Sequence, residues 1–182
     1  MASTPQLDQT DTILLLLAAE TSNAKQRFRC DGITRLEKLV FLLKQETDFD
    51  NEVQEPFAFE AYHYGPYSRE VYDAVDFLKA MQLMSERQVD VSSGLDVSEE
   101  VEALDPYDAL GEDDRYIERQ LELTEDGKAV AKVLSTRVSP SGKEALKKIK
   151  DKYGTMPLRQ LLRYVYDRYP AYAENSLIRD AI

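Results

Sequence analysis

The sequence predicts a mainly α, α+β domain of 182 residues. Three observations point there. Apolar residues recur at helical spacing along most of the chain, two shorter stretches alternate apolar and polar side chains as paired strands do, and an aromatic segment punctuated by Gly65-Pro66 sits between helices. A hydrophobic content of 43% is enough to build a core unaided. Cys30 is the only cysteine and His63 the only histidine, so neither an internal disulfide nor a Cys/His zinc set is available. That favours a reducing, cytoplasmic setting.

Residues 1–9 lack periodicity and read as a flexible tail. A first helix is expected from about Thr10 to Thr21. Its run Ile13–Ala19 is nearly continuous in apolar residues, which suits a central core helix. A bilayer span needs roughly 20 apolar residues, and Asp8 and Asp11 stand where a signal peptide would be basic. Ser22 to Asp31 is polar and basic, with Lys25, Arg27 and Arg29, and closes on the turn signal Asp31-Gly32. Thr34-Arg-Leu-Glu37 reads as a capping box, in which the threonine oxygen and the glutamate serve each other's backbone amides. The helix it opens carries Leu36, Leu39, Val40 and Leu43 on one stripe and runs to about Glu46.

Thr47 to Glu55 is acidic and loop-like. Pro56 to Tyr62 alternates, so Phe57, Phe59, Ala61 and His63 share one face of an extended segment. Gly65-Pro66 breaks the chain, and Ser68 is placed as N-cap of a helix over 68–82, with Val71, Ala74, Val75, Leu78 and Met81 as its buried stripe. Met84 to Val91 and Arg115 to Leu123 read as two strands that can pair. Thr124 opens a helix over 125–136, and Ser139-Pro140 opens one over 141–153 by the N-cap and proline-at-N1 rule. Gly154 stops it, Pro157 begins the last helix with Leu158, Leu161, Leu162 and Val165 inward, and Pro170 ends that one.

The net charge of -11 is unevenly spread. Residues 1–87 hold 9 basic and 15 acidic side chains, residues 88–127 hold 2 and 14, and residues 128–182 hold 12 and 5. From Gln88 to Asp114 there are ten carboxylates and no Lys or Arg. This stretch reads as a solvated acidic loop or a partner-docking tract; its spacing lacks the alternating ligands and central glycine of a calcium loop.

Taken together, the order helix, helix, aromatic extended segment, helix and two strands is that of a winged-helix-like helical domain. Residues 10–137 form its core, one β-hairpin (the wing) carries the long acidic loop 92–114, and residues 138–182 add C-terminal helices packed on the core. About twenty residues separate Glu46 from Ser68, where a helix-turn-helix uses three or four.

Three stretches carry a family resemblance: Gly32-Ile-Thr-Arg-Leu-Glu-Lys-Leu-Val-Phe-Leu-Leu43, Tyr62-His-Tyr-Gly-Pro-Tyr-Ser-Arg-Glu-Val-Tyr72 and Leu161-Leu-Arg-Tyr-Val-Tyr-Asp-Arg-Tyr-Pro170. They resemble the YwgA-like proteins and, more distantly, the Panacea antitoxin domain of the SocA-like group. Tyr-Gly-Pro-Tyr-Ser is the most specific part. The resemblance implies a small prokaryotic or phage protein that works by binding another protein, a toxin or a nuclease among the partners, or as an adaptor in proteolysis. The acidic insertion departs from the family pattern, and no catalytic residue carries over.

No enzyme is expected. Cys30 and His63 would have to meet across the fold to form a dyad, no nucleophile elbow surrounds Ser68, and the seven glycines form no phosphate loop, so no cofactor and no metal are expected. Tyr62, Tyr64, Gly65, Pro66, Tyr67 and Arg69 are the candidate partner-binding residues, since Tyr and Arg are enriched at interaction hot spots. Lys25, Arg27, Arg29, Lys143, Lys147 and Lys150 are the candidate nucleic-acid contacts. Two readings stay open: a non-enzymatic protein-interaction module, antitoxin-like or defence-associated, and a winged-helix DNA-binding transcriptional regulator. DNA is disfavoured because helix 68–82 sets Arg69 and Lys79 against Glu70, Asp73 and Asp76. The oligomeric state is open, a dimer included.

Overall fold

The structure, a computed structural model, describes residues 7–90 and 117–181. The acidic stretch 92–114 and the first six residues of the expected tail lie outside the described residues. Among the described residues, six α-helices, a three-stranded antiparallel sheet and a small hairpin make up a mixed α+β fold.

The chain packs earlier than its composition suggests. Leu7 is buried, and its amide and carbonyl bond Glu52 and Gln54 through a parallel bridge to Val53. Asp8 then caps α1 (Gln9–Ala18) in a reciprocal box with Asp11. The expected tail through residue 9 is thus corrected from Leu7 onward. A single leucine among polar residues has no periodicity to announce it, and only its partner Val53 makes it core. Along α1, Thr12 to Leu17 are all buried.

β1 (Arg29–Asp31), absent from the sequence reading, leads into α2 (Ile33–Glu46). Gly32, at φ 94°, is the N-cap, so the Thr34 capping box does not form; Thr34 lies inside the first turn and Glu37 points into the core. Every residue from Leu36 to Leu43 is buried. β2 (Glu60–Tyr62) and β3 (Gly65–Tyr67) pair with Tyr62 opposite Gly65. Gly65-Pro66 is therefore strand, not the break expected; the turn is His63-Tyr64. α3 (Arg69–Ala80) follows, with Val71, Ala74, Val75 and Leu78 inward.

β4 (Met84–Asp90) and β5 (Ile117–Leu123) pair over their whole length, Met84 opposite Leu123, and β1 adds to the other side of β5 in the order β1-β5-β4. Cys30, Met84, Leu121 and Leu123 put the sheet's inner face into the core. α4 (Glu125–Ser135) is capped by Thr124, and α5 (Pro140–Tyr153) by Ser139, which the Glu52 carboxylate in turn holds through its amide at 3.0 Å and its hydroxyl. α6 (Leu158–Arg168) closes the set. α1 packs on α3, α4 and α5, and α2 on α5 and α6, within one hydrophobic core. Among the described residues no helix is long and apolar enough to cross a membrane.

Candidate interaction face

The aromatic hairpin is built from below. Beneath it, Lys38 of α2 sends its ammonium to the Glu37 carboxylate at 2.7 Å and to the Pro66 carbonyl at 2.8 Å, while the other Glu37 oxygen accepts the Ser68 amide at 2.9 Å. Neighbouring residues of α2 thus grip the backbone on both sides of the β3–α3 step. The pair is almost wholly out of water, Lys38 being 1% exposed. Ser68 spends its hydroxyl on Glu70 at 2.8 Å, so its side chain bonds no helix amide, and the cap is made by its carbonyl, which accepts the Val71 amide at 3.2 Å.

Two further contacts fix the hairpin. Gly65, at φ +87°, lies so close to Tyr166 of α6 that a Cβ would sit 2.6 Å from the ring. On the outer edge, Asn175 donates to the Ala61 carbonyl at 3.2 Å and the Leu177 amide to the His63 carbonyl at 2.9 Å. Burial holds the Tyr166 phenol above its ordinary pKa, and Ser176 donates to it at 2.9 Å.

What remains exposed is a stack of rings. His63 stacks on Tyr62 at 4.2 Å, Tyr62 meets Tyr67 at 5.0 Å, and Tyr67 meets Tyr72 of α3 at 5.4 Å. Tyr62 is 45% exposed, Tyr64 and Tyr67 are half-buried, and Gly65 and Pro66 are buried. Gly65 and Pro66 are corrected from partner contacts to scaffold, because the Lys38 clamp and the Tyr166 ring already occupy them. Arg69 is exposed and pairs with Asp73 at 3.6 Å. Phe77, two turns on from Arg69 and 52% exposed, extends that side of α3, and Met81, assigned to the buried stripe, escapes as the C-cap at 56%. Phe77 falls outside the expected stripe by its spacing alone, whereas Met81 is corrected from buried to exposed because the helix ends before it.

The basic candidates separate. Lys150 is 3% exposed and donates to the Leu17 carbonyl in the last turn of α1, where helix carbonyls lack partners, so it is corrected from a phosphate contact to a core residue. Burial pulls its pKa down to about 8 from 10.5. Lys147 pairs with Asp151 at 2.6 Å, and Arg29 with Asp31 at 3.1 Å. Lys147 and the Ser22 amide hold the Asp151 carboxyl well below the usual carboxylate range. Lys25 is exposed and stands apart, while Arg27, Lys143 and Lys147 line one cavity between α1, α4 and α5, joined there by Lys128 and Lys132.

A second polar cluster, also unforeseen, lies at the end of α2. Tyr153 and Tyr164 donate to Glu46 at 2.7 and 2.6 Å, and Lys152 stands 3.7 Å away over both rings. Burial opposes the Glu46 charge, but the Tyr164 and Tyr153 hydrogen bonds and the lysines outweigh it and hold the carboxyl below its ordinary pKa. Burial, reinforced by the hydrogen bonds of Tyr164 and Glu46, pushes Tyr153 up. The cluster ties α2 to α5 and α6. Among the described residues no group of His, Cys, Asp or Glu is placed to hold a metal ion. Comparison of the chain with protein-family models, with curated proteins and with solved structures finds no match.

Proposed function

We propose that this chain is a non-enzymatic protein-binding regulator on a winged-helix-like scaffold, and that the ring stack of the hairpin together with the outward side of α3 is its partner face. The scaffold reading is supported by the order α1, β1, α2, α3, β4, β5 and by the strand order β1-β5-β4, which a winged helix uses; the β2–β3 hairpin is an insertion between α2 and α3. The antitoxin-like or defence-associated role is what the sequence resemblance adds.

The observation that carries the reading is the composition of the helix that would enter a DNA groove. It offers Phe77 and Met81 to solvent amid Asp73 and Asp76, and its Lys79 is held by Asp76 at 3.3 Å and Glu86 at 3.1 Å. Exposed rings on a rigid support suit a protein partner, whereas carboxylates on that helix repel phosphate. The alternative, a DNA-binding regulator, would have to use Arg69 alone on this face.

The test is retention of co-purifying protein by the tagged full chain from its native host. Tyr62→Ser with Phe77→Ser is expected to release the partner while the far-ultraviolet spectrum and unfolding midpoint stay close to the parent. Tight duplex binding that weakens steeply with salt, and is lost on neutralising Lys143 and Lys147, overturns the reading.

A further inference from the structure

The cavity between α1, α4 and α5 is separate from the ring stack and has a volume of about 740 Å³, within the range of true binding sites. Its floor is apolar, made by Leu15, Ala18, Phe28, Ala131 and Leu146. Its rim carries Arg27, Lys128, Lys132, Lys143 and Lys147, of which Lys128 is paired with Glu125 at 2.7 Å and Lys147 with Asp151 at 2.6 Å. Lys132 and Lys143 are exposed and make no ion pair among the described residues.

Phe28 gives the cavity its shape. It is a bulky residue at φ 66°, a left-handed conformation that costs a non-glycine side chain about 1–2 kcal/mol. Two backbone bonds hold it there, from its amide to the Leu17 carbonyl and from the Leu123 amide to its own carbonyl, both 2.9 Å. The ring is flanked by the Arg27 guanidinium at 5.0 Å and the Lys128 ammonium at 5.1 Å. Strained residues of this kind concentrate where a surface is used.

We propose that this cavity docks an acidic, amphipathic peptide segment of the partner protein. Deepening the protein-binding reading, the proposal rests on it. Apolar side chains of the segment meet the floor, and its carboxylates meet the rim. Glu20, Glu125 and Glu144 stand in the same walls, which a polyphosphate chain would have to pass and which a peptide with spaced carboxylates can avoid.

A synthetic 18-residue peptide with leucines at i, i+3, i+4 and i+7 and glutamates elsewhere is titrated into the full chain by fluorescence anisotropy. Binding is expected, at least about tenfold weaker for the same peptide with alanines in place of leucines. Lys132→Glu with Lys143→Glu, and separately Ala129→Trp as a steric plug on an exposed lining position, are each expected to weaken it about tenfold or more. Tyr62→Ser with Phe77→Ser is expected to leave it unchanged. Peptide affinity indifferent to the rim reversals and the plug overturns the proposal, as does tighter binding of a single-stranded oligonucleotide of equal charge. Peptide binding that emerges only after residues 92–114 are deleted also overturns it, assigning the cavity to the chain's own acidic stretch. Loss of the co-purified partner in the ring-stack variant with no peptide binding in the parent refutes this inference alone; peptide binding with an unaltered partner in that variant refutes the partner face alone.

Discussion

Where α2 meets the hairpin, Lys38 lies between the Glu37 carboxylate and the Pro66 carbonyl; where α5 meets α1, Lys150 lies against the Leu17 carbonyl with no ion-pair partner among the described residues. Both lysines are buried to within a few percent, and both join two elements by gripping backbone. They differ in what balances the charge. Lys38 is matched by a carboxylate that itself has a backbone donor, so the joint is neutral and geometrically over-determined. Lys150 has only a carbonyl dipole at hydrogen-bond distance, with Cys30, Arg27 and Asp151 acting from farther off, and burial pulls its pKa down to about 8. A paired buried charge specifies a geometry, whereas an unpaired one makes its joint sensitive to pH.

The largest effect that would break this comparison is at the paired joint. Lys38→Met strands a buried Glu37 charge and is expected to cost about 3–5 kcal/mol of unfolding free energy in a urea titration. Glu37→Gln with Lys38→Met keeps an acceptor for the Ser68 amide and should recover much of the loss. A double variant as damaged as the single would show that the charges are not the clamp.

The unpaired joint is expected to respond to pH in the opposite sense from a salt bridge. Because the folded-state pKa of Lys150 is lowered, the unfolded chain binds more protons between pH 8 and 10.5, so stability is depressed below pH 8 and rises as pH climbs through that window. The gain from pH 7 to 10 is about 2.5 kcal/mol, set by a pKa of 10.5 in the unfolded chain and about 8 in the folded one. Above pH 10 it is countered by Tyr153, Tyr166 and Tyr169, whose raised pKa values favour the protonated folded state. Thermal midpoints of the parent and Lys150→Met across pH 7–10 check it; parallel curves would remove the contrast.

The smallest expected effect sharpens the boundary between clamp and face. Arg69→Ala breaks an exposed pair with Asp73 and is expected to change stability by no more than about 0.5 kcal/mol. If the same change releases the partner, Arg69 belongs to the face rather than to the joint beneath it.

Helix positions were written in the sequence because each is set by a period and by local caps. The stripe of α2, Ser139-Pro140 before α5 and Thr124 before α4 are local facts that survive in the structure. So does the alternation that became β4 and β5. The Thr34 capping box failed because Gly32 started the helix earlier and Glu37 found a stronger partner in Lys38. The candidate site was legible only in part. Tyr62 and Arg69 reached the surface, but Phe77 and Met81 depend on which side of α3 meets α1, and Lys150 depends on where α1 ends.

By itself, then, the sequence determined the order and kind of the main helices, the strand pair and the concentration of aromatics at residues 57–77, since these follow from spacing and turn chemistry within a few residues. Only the tertiary structure decided that Gly65-Pro66 is a strand, that Lys38 and Lys150 are core, and that Arg27 and Lys143 share a cavity. Burial and charge pairing are properties of residues far apart in the chain, and no local pattern encodes which distant carbonyl or carboxylate a lysine will meet.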